Sequence, residues 1–305
     1  MKKLTLVSTI FIIIISFLIL NLTLGKESAK LISPATEDKI LGVNLWLPKF
    51  ASAGENSALE VTADAAFFIE SKKGEVLYSK NANKRLPIAS LVKVMTVLVA
   101  LEHKSMDDKF VVSKRAAEME PDKMLLIPGE KLTLKELLYG VFLISANDAA
   151  EVLADRVMGE RKDFIKLMND KSQQLGMENS YFANPTGLDE DNNNSYSTAY
   201  DLAILARFLI RNYPQVVEIS QTPHVYFPVT SEHQDYEMYS GINLLTTYPG
   251  VVGFKTGYTP EAGLTLITLA RKNGHEVIGV LLGSESRRDE AKELLDYSFQ
   301  KLGVQ

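Results

Sequence analysis

The chain has 305 residues, 46% hydrophobic and 23% charged, which suits one large folded domain or two small ones and excludes a disordered or polytopic membrane chain. A net charge of −5 with no Lys/Arg-rich tract gives no field for holding nucleic acid. No cysteine is present, and the four histidines are scattered without an H-E-x-x-H pair. Disulfide scaffolds, thiolate zinc sites and cysteine nucleophiles are therefore excluded, and neither a metal nor a cofactor is implied.

Met1-Lys2-Lys3 precedes a charge-free apolar run from Leu4 to Gly25, which reads as an export signal. The run exceeds the roughly 7–15 apolar residues of a cleaved signal peptide and approaches the roughly 20 that span a bilayer. That favours an N-terminal membrane anchor over residues 1–25, while Thr23-Leu24-Gly25 keeps a cleaved signal peptide open. With Lys2 and Lys3 on the cytoplasmic side, everything after Lys26 lies outside the cytoplasm, at the outer face of the cell membrane or in the periplasm. Residues 26–56 mix Pro34, Gly42, Pro48 and Gly54 without a period and read as a linker, in which Trp46 meets either the membrane surface or the domain.

The folded domain is expected over 57–305. Ala65 to Ile69 and Glu75 to Ser79 flank the Ser71-Lys72-Lys73-Gly74 turn and predict a β-hairpin. Helical content follows over Leu91–Leu101, Thr133–Ile144, Ala149–Val157, Lys162–Leu175 and Ala199–Ile210. Thr133 with Glu136 makes a capping box, Thr198 with Asp201 a weaker one, and Gly176 stands at a helix C-cap position. Gly250 to Thr256, Leu264 to Ala270 and Glu276 to Gly283 predict three strands, the last two joined through Asn273-Gly274, before a helix from Arg287 to Lys301. Strands at both chain ends thus enclose a helical insert, an α+β arrangement.

Three short patterns could carry chemistry. In Leu86-Pro87-Ile88-Ala89-Ser90-Leu91-Val92-Lys93, Pro87 can open a helix apolar on nearly every side, and Ser90 and Lys93 share one face of it. Burial lowers a lysine pKa toward the range where it accepts a hydroxyl proton, making Ser90 a nucleophile with Lys93 as its base. The plain alternative is a helix-start serine with a snorkelling lysine, since Ser298-Phe299-Gln300-Lys301 repeats the spacing in an amphipathic helix. In Ser145-Ala146-Asn147, Ser145 can relay a proton and Asn147 can clamp a substrate amide, although Asn147 or Asp148 also suits an N-cap. In Gly253-Phe254-Lys255-Thr256-Gly257-Tyr258, Lys255 and Thr256 can hold a carboxylate and Gly257 admits a ligand backbone; the alternative is an exposed strand charge before a turn glycine.

S-x-x-K, S-x-N and K-T-G in this order resemble the motif set of penicillin-binding proteins and class A β-lactamases. From about Ala65 onward the chain most resembles the low-molecular-mass D-alanyl-D-alanine carboxypeptidases, the likeness including Phe182-Ala183-Asn184-Pro185-Thr186-Gly187-Leu188 and Thr259-Pro260-Glu261-Ala262-Gly263. The resemblance implies a β-lactamase/transpeptidase-like fold around an antiparallel five-stranded sheet. It implies that Ser90 attacks the carbonyl between the two terminal D-alanines of a peptidoglycan stem peptide while Lys93 takes its proton, and that the backbone N–H groups of Ser90 and Tyr258 form an oxyanion hole. Ser145 would protonate the departing D-alanine, Asn147 would hold the peptide amide, and Lys255 with Thr256 would bind the terminal carboxylate. β-Lactams would acylate Ser90. Between Asn147 and Lys255 there is no E-x-x-L-N pattern to supply the deacylating glutamate of a class A β-lactamase, so slow deacylation is expected. About 50 residues follow Lys255, too few for the extra C-terminal β-rich domain of the larger relatives, and the N-terminal segment is expected to tether the chain instead. A DD-endopeptidase is the alternative activity; a non-turnover β-lactam or muropeptide sensor is the alternative of another class.

Overall fold

The computed structural model describes residues 38–40, 43–48, 59–189 and 193–304. The apolar run Leu4–Gly25 lies outside them, as does most of the expected linker. Among the described residues no helix is long and apolar enough to cross a membrane.

Five antiparallel strands form the central sheet: β1 (Ala65–Glu70), β2 (Glu75–Lys80), β3 (Val251–Thr259), β4 (Gly263–Lys272) and β5 (His275–Ser284), in the order β3-β4-β5-β1-β2. Both chain ends thus supply the sheet, as expected, with β1 pairing β5 across the molecule. The β1–β2 turn closes at Gly74, φ 76°. Asn273 and Gly274, at φ 49° and 80°, make the two-residue turn between β4 and β5, where only a glycine and an asparagine adopt the left-handed backbone cheaply. The strands outrun the predicted apolar stretches because hydrogen-bond pairing continues into polar residues such as Arg271 and Lys272.

The insert holds α1 (Val92–His103), α2 (Leu134–Leu143), α3 (Asn147–Arg156), α4 (Arg161–Gln174), α5 (Ala199–Asn212) and α6 (Gln215–Ser220), and α7 (Arg287–Lys301) closes the chain. Every residue of α1 from Val92 to Leu101 is buried, as its all-round apolar character requires. The Thr133–Glu136 capping box forms in both directions. Thr198 accepts from Asp201 N, but the Asp201 carboxylate serves Asn179 N and Ser180 Oγ instead of completing the box. At the end of α4, Met177 N bonds Ser172 O and Gly176 N, φ 73°, bonds Gln173 O, a Schellman closure.

One core lies between the inner sheet face and the helical insert; a second, with Phe68, Leu281, Leu294 and Phe299, lies between the other face and α7. Trp46 packs against the first core with Arg207 stacked on its ring at 3.8 Å, so it meets the domain. Two expectations are corrected. Pro87 does not open α1 but lies in a two-residue strand, Leu86–Pro87, paired with Tyr196–Ser197. Ala89 at φ 48° breaks the helical path, and a 3₁₀ turn over Ala89–Leu91 leads into α1. The N-cap of α3 is Ala146, without a side-chain bond, while the Asp148 carboxylate gathers Met124 N, Leu126 N and Ala149 N.

Candidate active site

Ser90 sits in the 3₁₀ turn at the mouth of α1, directly after the left-handed Ala89, a conformation that costs a non-glycine residue about 1–2 kcal/mol and turns the serine out of the helix. One helical turn on, Lys93 is fully buried and its Nζ donates to Ser90 Oγ at 2.8 Å and to the Thr186 carbonyl at 2.7 Å. Burial, and after it the neighbouring Lys255 ammonium, hold the Lys93 amine well below the ordinary lysine range.

Ser145 bridges α2 and α3 with φ 62° and accepts from Lys255 Nζ at 2.9 Å. Lys255, on the edge strand β3, is 1% exposed and also donates to Thr256 O at 2.5 Å. Burial, helped by the Arg287 guanidinium, lowers its pKa to about 7. Asn147 Nδ2 donates to Pro121 O at 2.6 Å, whereas its buried Oδ1 has no hydrogen-bond partner among the described residues. An orphaned buried acceptor is costly and calls for a donor.

The structure therefore brings Ser90 with Lys93, and Ser145 with Lys255, into two hydrogen-bonded pairs, and the charge of Lys255 acts on Lys93. β3 is pressed against the Ser90 turn at Gly257, where a Cβ would lie 2.9 Å from Ser90 N and 2.6 Å from Thr265 Oγ1. The close approach that Gly257 permits is thus to this chain's own turn rather than to a ligand. The Thr256 hydroxyl makes no hydrogen bond among the described residues, and the Tyr258 side chain is 62% exposed.

Sequence reasoning missed several groups here. Arg287 donates through Nη1 to Gly257 O at 2.6 Å and adds positive charge behind β3. Asp122, in the loop beside Asn147, acts on both lysines in the opposite sense, favouring their charged forms, and its carbonyl accepts Asn147 N. Thr186 supplies its carbonyl to Lys93. Each is a single residue outside any spaced pattern; the Phe182–Leu188 segment was the only cue to Thr186.

The model of the D-alanyl-D-alanine carboxypeptidase family matches residues 52–286. D-alanyl-D-alanine carboxypeptidase DacF of Bacillus subtilis is 37% identical over 253 residues, covering 80% of this chain and 64% of that protein. DacB2 of Mycobacterium tuberculosis, also named a D-alanyl-D-alanine carboxypeptidase, is 32% identical over 74% of this chain and 78% of its own length. Among solved structures, the Streptomyces K15 DD-transpeptidase superposes with a TM-score of 0.75 at 29% identity, covering 80% of this chain and all of that one. DacD of Francisella tularensis superposes with a TM-score of 0.73 at 28% identity over 79% of this chain and 71% of its own. The family model spans most of the chain and DacF is 37% identical over 80% of it, so the chain belongs to the D-alanyl-D-alanine carboxypeptidase family.

Proposed function

We propose that the chain is a serine-type D-alanyl-D-alanine carboxypeptidase that trims the terminal D-alanine from peptidoglycan stem peptides through an acyl-enzyme on Ser90, and that β-lactams acylate the same serine. The carrying observation is a fully buried Lys93, its amine kept toward the neutral form, 2.8 Å from Ser90 Oγ. A neutral amine at that distance is a base positioned to take the hydroxyl proton as oxygen attacks carbon.

In this reading the Ser90 Oγ–carbon bond forms as Lys93 takes the proton, and the backbone N–H groups of Ser90 and Tyr258 hold the oxyanion. The C–N bond to the terminal D-alanine then breaks, its nitrogen receiving a proton through Ser145. Lys255, bonded to Ser145 Oγ, supports that relay and, with the unengaged Thr256 hydroxyl, binds the terminal carboxylate. The orphaned Asn147 Oδ1 accepts the substrate amide N–H. Water cleaves the ester and returns the proton to Ser90. We also infer that residues 1–25 carry the domain out of the cytoplasm and tether it to the membrane, where peptidoglycan is met; this reading rests on the Leu4–Gly25 run.

The test is release of D-alanine from diacetyl-L-lysyl-D-alanyl-D-alanine. The parent releases it, and Ser90→Ala, with unchanged melting temperature, loses about 10³-fold or more. Equal release by Ser90→Ala would place the chemistry elsewhere.

A further inference from the structure

An amine that is to take the Ser90 proton must aim its lone pair at Ser90 Oγ, so its N–H groups need acceptors elsewhere. The Thr186 carbonyl, 2.7 Å from Lys93 Nζ, is such an acceptor. It serves only while that peptide plane faces the lysine: a half-turn of the plane would present the Gly187 N–H, donor against donor.

The plane is held from its other end. Gly187 N–H belongs to the same peptide unit as the Thr186 carbonyl and donates to Asn184 Oδ1 at 2.7 Å. The same oxygen accepts Thr186 N and Thr186 Oγ1, both at 3.1 Å, while Asn184 Nδ2 donates to Leu188 O at 2.9 Å. Asn184 is fully buried, so water cannot replace these bonds. The loop has little slack: Gly187 takes φ 80°, a Cβ there would lie 1.9 Å from Ala89 O, and Thr96 Oγ1 fastens Pro185 O at 2.7 Å.

We propose that Asn184 is a positioning residue for the reaction, clamping the Thr186–Gly187 peptide so that its carbonyl takes a Lys93 N–H and leaves the amine lone pair directed at Ser90. The inference rests on the reading of Lys93 as the base of Ser90. Asn184 touches no reacting atom; it acts through one peptide plane.

The test is the pH dependence of the benzylpenicillin acylation rate, followed by intact mass, for the parent, Asn184→Ala, Asn184→Asp and Thr96→Val. Asn184→Ala frees the plane and is expected to slow acylation about tenfold or more. Asn184→Asp keeps the acceptor oxygen but adds negative charge near Lys93, favouring the ammonium. Its rising limb moves to higher pH by about half a unit or more, and its rate recovers toward the parent's once the amine is free. Thr96→Val loosens the same loop without touching the clamped peptide, lowering the melting temperature while the limb stays in place. Should Asn184→Ala fail to fold, the limb of Asn184→Asp decides. Folded Asn184 variants with the parent's rate and limb would overturn the inference alone, whereas an unreactive parent would overturn the proposed function and this inference with it.

Discussion

Lys255 shows how single side chains set the behaviour of the site. An ordinary lysine titrates near 10.5, but burial and the nearby Arg287 bring Lys255 to about 7. Between those values the unfolded chain binds more protons than the native one, so folding gains stability as pH rises through the window, and below about 7 the full cost is present. The difference in unfolding free energy between the parent and Lys255→Met is therefore expected to move in the parent's favour by about 1.4 kcal/mol per pH unit from pH 7 toward 10. A difference flat with pH, measured by urea unfolding, would contradict the depressed pKa. A carboxylate that binds Lys255 favours its charged form, so the stability forgone in the free protein is recovered in binding. Ser90, Lys93, Ser145, Asn147, Lys255 and Thr256 were legible in the sequence because each belongs to a spaced motif. Asn184 and Thr186 stood out only as members of the Phe182–Leu188 segment, with no role attached, since a backbone acceptor has no residue-type signature; Arg287 was not legible, because it reaches the site from 32 positions beyond Lys255 by its place at the start of α7.

At the scale of elements, the site is the seam between β3 and the turn leading into α1. Gly257→Ala would push a methyl group against Ser90 N and Thr265 Oγ1, and the backbone of the Ser90 turn must yield. The expected result is a drop of about tenfold or more in acylation by benzylpenicillin, because oxyanion donors displaced by a fraction of an ångström lose much of their effect. Gly274→Ala, at φ 80° with open space around its Cβ position, is the comparison: it meets backbone strain of about 1–2 kcal/mol and leaves acylation unchanged. Equal acylation by parent and Gly257→Ala would mean that the seam tolerates displacement. The long elements were readable in advance. Helix α1 declared its burial by having no polar face, and β4 and β5 declared their turn by Asn273-Gly274. The ribbons Lys109–Val111 with Lys131–Thr133, and His224–Phe227 with Tyr236–Tyr239, were not, since three or four residues are too few for a period. The left-handed Ala89, which separates Pro87 from the helix, has no sequence signal at all.

At the scale of the whole molecule, the two chain ends build the sheet and the insert builds the opposite wall, so the three motifs, far apart in sequence, converge only when both parts close on each other. Ser90 and Lys93 arrive at the head of α1, Ser145 between α2 and α3, Asn147 as the first residue of α3, and Lys255 on the edge of the sheet. That convergence was foreseeable from motif order, whereas the packing of Trp46 on Arg207 was left open between membrane and domain and needed the folded surface to decide it. In the proposed function this convergence makes Ser90 a nucleophile. The most direct measurement is the intact mass of the protein after exposure to benzylpenicillin, with the modified peptide sequenced, beside Ser90→Ala. The expected result is a persistent adduct of one equivalent, mapped to Ser90 and absent from the variant. A well-folded parent that gains no mass, or an adduct on another residue, would contradict it.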